Sequence, residues 1–98
     1  MKIEKLTFQV RPSELSQEFI SQDRKIWDPW LKRQPGYLNK TFRVTPRNGH
    51  SEVIVLILWK GEKELKSASL KEKEISLLDR KLRTVFPGTF SLVHSKTI

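Results

Sequence analysis

A domain of the α+β class, with its elements in the order β-α-β-β-α-β, is what three features of this chain predict. Apolar side chains alternate at a period of two within Ile3 to Val10, Tyr37 to Val44 and Phe90 to Lys96, the spacing of half-buried strands. Two intervening stretches, Leu15 to Leu31 and Ile75 to Phe86, carry apolar residues near one helical face. A further strand, Glu52 to Trp59, is apolar on both faces, which predicts a central strand covered on both sides.

In the first strand Leu6, Phe8 and Val10 alternate with Lys5, Thr7 and Gln9, and Arg11-Pro12-Ser13 ends it. Ser13 is the expected N-cap, because its hydroxyl can accept from the free amides of the first helical turn. The first helix gathers Leu15, Phe19, Ile26, Trp27, Trp30 and Leu31 near one face. Pro29 interrupts it. Either the helix kinks there, or Asp28 caps a short second segment with Pro29 at its first position. Pro35-Gly36 stops the helix.

The second strand puts Leu38, Phe42 and Val44 on one face and Tyr37, Asn39, Thr41 and Arg43 on the other. Thr45 to His50 forms a hairpin loop, with Asn48-Gly49 expected at positive φ. The third strand separates Val53, Val55, Ile57 and Trp59 from Ile54, Leu56 and Leu58. A polar helical stretch around Glu62 to Lys66 comes next, and Ser69 with Glu72 has the spacing of a capping box. Pro87-Gly88 ends the last helix, and the final strand aligns Phe90, Leu92 and His94 on one face.

Residues 1–98 thus read as a single ferredoxin-like sandwich: two helices on one face of a four-stranded antiparallel sheet, with strands one and three central. Two helices cannot cover both rows of the third strand. The remaining apolar face marks an interface, which a second copy of the chain covers most simply. The pattern leaves open which row meets the partner, and Ile54, Leu56 and Leu58 are the candidate interface.

Composition excludes several chemistries. The chain has no cysteine, so disulfides, thiolate nucleophiles and zinc–thiolate sites are absent. No His, Asp and Glu cluster stands at ligand spacing, and no Gly-rich loop cradles phosphates, so neither metal nor cofactor is expected. No signal peptide or membrane span is recognisable, and a cytoplasmic location is the expectation. The net charge of +8 attracts polyanions without specifying one. Between Lys60 and Arg83 the cations are interleaved with Glu62, Glu64, Glu72, Glu74 and Asp79, the pattern of a solvated helical face. Aliphatic residues on the third strand make a poor base-stacking platform, so no specific nucleic-acid binding is expected.

Ile26-Trp27-Asp28-Pro29-Trp30-Leu31, Gln34-Pro35-Gly36-Tyr37-Leu38-Asn39-Lys40 and Val53 through Trp59 carry a resemblance. The chain resembles the dimeric α+β barrel superfamily, which includes antibiotic-biosynthesis-monooxygenase-like proteins. More narrowly it is similar to a set of small, largely cyanobacterial proteins of uncharacterised function. The resemblance implies a dimeric α+β barrel that binds a small apolar or aromatic ligand or acts as a cofactor-free monooxygenase. In haem-degrading members a tryptophan ending strand three works with a strand-one asparagine and a helix histidine. Trp59 fits the first position, but strand one has no asparagine and no histidine lies between His50 and His94, so haem breakdown is not expected. Trp27, Trp30, Tyr37, Asn39, Trp59 and His94 form the candidate ligand pocket; the first four also suit a plain core, Trp59 a core or pocket-wall aromatic, and His94 a hydrogen-bonded sheet histidine. The catalytic residues are left unassigned. The alternative is a non-enzymatic interaction module that docks an acidic partner through its basic surface.

Overall fold

Four strands, β1 (Lys2–Arg11), β2 (Tyr37–Pro46), β3 (Ser51–Trp59) and β4 (Thr89–Thr97), form one antiparallel sheet in the order β2-β3-β1-β4. Three helices, α1 (Ser16–Lys32), α2 (Glu62–Ser69) and α3 (Glu72–Val85), pack on one face. The structure is a computed structural model and describes every residue from Met1 to Ile98. The sandwich expected from the sequence is present, but the barrel is not. β2 and β4 are free edges at opposite sides of an open sheet. Four strands are about half the number that closes even a small barrel around packed side chains.

The core lies between the sheet and the helices. Val53, Val55, Ile57 and Trp59 of β3 are buried in it, and the intervening Ile54, Leu56 and Leu58 are half-buried on the opposite face. Phe8, Phe19, Phe86 and Phe90 form a cluster of tilted and edge-on rings at one end, with centroids 5.1–6.1 Å apart. Such geometries suit the ring quadrupoles. β3 is therefore central, as expected, but helices cover one of its faces only.

Two β-bulges change which residues share a face. Tyr37 pairs with Trp59 and Asn39 with Leu58, leaving Leu38 as an extra residue. Tyr37 and Lys40 consequently join Phe42 and Val44 on the helix side, and Leu38 is exposed. On β4, Leu92 pairs with Phe8 and His94 with Thr7, so Val93 is the extra residue. His94 turns to the face opposite Phe90 and Leu92. A single inserted residue reverses the alternation beyond it, which is why strict period-two reading misplaced Tyr37, Leu38 and His94.

The helix ends also depart from expectation. Ser13 opens a 3-10 turn (Ser13–Leu15), and α1 starts at Ser16 without a side-chain cap. Ser69 is the last residue of α2, where its hydroxyl donates to the Lys66 carbonyl at 2.9 Å, so it caps nothing in α3. α1 runs through Pro29 without a second segment. In the β2–β3 loop Gly49 alone has positive φ, at 82°, and Asn48 does not.

Candidate functional site

A cavity of about 330 Å³ lies between the sheet and all three helices. That volume is near the lower limit of small-molecule pockets. Its floor comes from the helix-facing rows of β1, β3 and β2, and its walls from α1, α2 and α3. Exposed lining residues, among them Ser69, Arg83, Leu92 and Ser95, mark its mouth along the β4 side.

The aromatic wall is a direct consequence of the sequence pattern. Trp27 and Trp30 lie three residues apart on α1 and so share a face. Their rings meet edge to face at 5.8 Å. The Trp30 indole donates to Glu74 Oε1 at 3.0 Å, tying α1 to α3. Trp59 ends β3 among the buried residues and meets Tyr37 edge to face at 6.1 Å.

The polar part of the floor was not legible as a site. Glu4, Ile57 and Lys40 form one row across three strands, which places the outer pair about 10 Å apart at the backbone. Lys40 is 6% exposed. Its ammonium donates to Asp23 and also lies 2.7 Å from Asp28 Oδ1, an oxygen with no well-aligned hydrogen bond. Arg24 approaches the other Asp28 oxygen at 3.8 Å. Two cations thus face two carboxylates. Burial pushes the Asp23 carboxyl above its usual range, against the opposing pull of Lys40. Tyr37 is also raised, first by burial and then by the Asp28 carboxylate.

Glu4 is different. It receives the Trp59 indole N–H at 3.3 Å, and it belongs to none of the ion pairs. Burial raises its carboxyl above the ordinary value, and the Trp59 hydrogen bond offsets this only in part. The available signal was its phase on β1, where Glu4 shares parity with Leu6, Phe8 and Val10. A charge at a core-facing position requires a partner or a purpose.

Of the expected pocket residues, Trp27, Trp30 and Trp59 line the cavity, and Tyr37 stands behind Trp59. Asn39 and His94 do not join them. Asn39 pairs with Leu58 and His94 with Thr7, both on the open face of the sheet. Ile54, Leu56 and Leu58 also lie on that face, where Ile3 and Thr7 on β1 extend their row. No His, Cys, Asp and Glu group is arranged to hold a metal ion. No helix is long and apolar enough to cross a membrane.

No protein-family model matches the chain, and no curated protein does. Solved structures do. A dimeric ferredoxin-like protein from an uncultured marine organism is similar at TM-score 0.72 and 15% identity, covering 99% of this chain and 92% of that one. A monooxygenase of Streptomyces coelicolor, in complex with nanaomycin D, is similar at TM-score 0.70 and 17% identity, over 99% of this chain and 82% of that one. SnoaB, a cofactor-independent oxygenase from Streptomyces nogalater, gives TM-score 0.57 and 17% identity, over 97% and 93%. The chain therefore shares the ferredoxin-like fold of these proteins. Nothing in these likenesses singles out the narrower cyanobacterial group.

Proposed function

We propose that this chain binds a small, flat, largely apolar ligand in the cavity between its helices and its sheet. The observation that carries the reading is a cavity of about 330 Å³ walled by Trp27, Trp30 and Trp59. Aromatic walls with a few convergent polar groups are the usual chemistry of such sites. One or two fused rings suit the volume. The fold shared with the two Streptomyces enzymes makes cofactor-free oxygenation of the bound ring the reaction to assay. The chain works as a homodimer joined through the open sheet face, a reading supported by the half-buried row Ile54, Leu56 and Leu58.

The alternative of a basic surface that docks an acidic partner has less support. Acidic residues are interleaved with the cations of α2 and α3, and two of those cations are paired locally, Lys66 with Glu62 and Arg83 with Asp79. The two readings separate on titration with 1-naphthol, monitored by tryptophan fluorescence and calorimetry. Saturable binding at one site per chain, weakened about tenfold or more by Trp27→Leu, is expected. No saturable signal up to millimolar probe would overturn the ligand reading. Oxygen uptake with the bound probe then tests for oxygenation.

A further inference from the structure

The cavity's charged groups are balanced with one exception. Lys40 lies between Asp23 and Asp28, and Arg24 completes that network. Asp79 is paired with Arg83 at 2.9 Å near the mouth. Glu4 alone among the charged lining residues has no counter-ion, and its single side-chain partner is a neutral indole. A carboxylate partly withdrawn from water without a cation costs folding free energy. The fold keeps it there, in a chain whose net charge is +8 and which has cations to spare.

We infer that the missing counter-charge is supplied by the ligand: the cavity takes a flat aromatic ring bearing a protonated amine, with the amine directed at Glu4. This rests on the proposed ligand-binding role of the same cavity and names its substrate class. Three observations converge on it. Glu4 Oε1 is oriented by the Trp59 indole, leaving Oε2 with no hydrogen-bonding partner. Trp59, Trp30 and Trp27 present indole rings, the aromatic surface that attracts cations most strongly. The second cation-binding end of the floor is already closed, because Lys40 occupies the carboxylates of Asp23 and Asp28. An anionic ring would leave Glu4 unpaired and add a like charge beside it. A neutral ring fills the volume but leaves the carboxylate uncompensated.

The test uses three indoles of matched size: tryptamine (cation), tryptophol (neutral) and indole-3-acetate (anion). Each is titrated by calorimetry into the wild-type chain near neutral pH at fixed ionic strength. Tryptamine should bind roughly tenfold tighter than tryptophol, with indole-3-acetate weakest. Glu4→Gln keeps an acceptor for the Trp59 indole. It should bring the tryptamine and tryptophol affinities within about twofold, chiefly by weakening tryptamine. Equal affinities for the three probes, preference for the acid, or a preference that survives Glu4→Gln would each overturn the inference. The wild-type series decides the matter even where the variant fails to fold. Binding of 1-naphthol without tryptamine sinks this inference alone, and binding of neither sinks the ligand reading as well.

Discussion

Glu4 and Lys40 stand in the same row of the sheet, yet the two are stabilised in opposite ways. Burial raises the Glu4 carboxyl above its ordinary value of 4.5, so the folded chain holds that proton more tightly than the unfolded chain does. The resulting stability is fully present below the unfolded value and is lost as pH rises through the higher folded value. Glu4→Gln has no such dependence. Its melting temperature should exceed that of the wild type at about pH 8, and the gap should narrow towards about pH 4. A constant gap in thermal melts across that range would refute the assignment. Asp23 is also raised by burial, and comparing the two chains cancels its contribution. Lys40, by contrast, holds two carboxylates together inside the protein. Lys40→Met strands Asp23 without a cation and should cost about 3–5 kcal/mol in urea denaturation, part of which Lys40→Met combined with Asp23→Leu should recover. In the sequence Asp23, Asp28 and Lys40 are ordinary surface residue types. Only the 17-residue separation closed by folding makes Asp23 and Lys40 a pair.

At the level of elements, the period-two pattern located every strand and the helical pattern located α1 and α3, because each amphipathic face is written locally; α2 was expected only as a polar helical stretch, and the 3-10 turn at Ser13–Leu15 was not expected. Bulges are not written that way. The extra residues Leu38 and Val93 carry no composition that marks them, and each reverses the parity of the strand residues beyond it. The Pro35-Gly36 stop was legible, and its reason is geometric. Gly36 has φ 83°, and a Cβ there would run into the Glu64 side chain. Gly36→Ala should therefore lower stability by about 1–2 kcal/mol from the backbone alone. Glu64→Gly removes both the Cγ and the Cβ that the new methyl would meet, so adding Gly36→Ala to it should still lower the melting temperature relative to Glu64→Gly alone. Equal melting temperatures for that double variant and Glu64→Gly would show that the backbone conformation costs nothing.

The whole molecule leaves one sheet face without helices, and the two rows of β3 make different demands. Ile57 is in the core and Leu56 is half-buried on the open face beside Lys5 and Thr41. Leu56→Glu should yield a folded monomer, and Ile57→Glu should damage the core by several kcal/mol. Light scattering coupled to size exclusion, with circular dichroism of the same fractions, reads both outcomes. The wild type should elute at twice its 11.6 kDa chain mass. A second copy that covers about 800 Å² of each subunit would be ordinary for a stable dimer. A wild-type monomer at micromolar concentration would remove the dimer from this reading.

The sequence by itself determined the element order, the central place of β3 and the apolar character of both its rows, since hydrophobic period depends on neighbours a few residues apart. It also determined that Trp27 and Trp30 share a helical face. Tertiary structure alone decided that the sheet stays open, that Asn39 and His94 face away from the cavity, and that Glu4 lacks a cation while Lys40 has two carboxylates. Register, closure and charge pairing depend on distances between residues far apart in the chain, and those distances exist only once the strands are aligned.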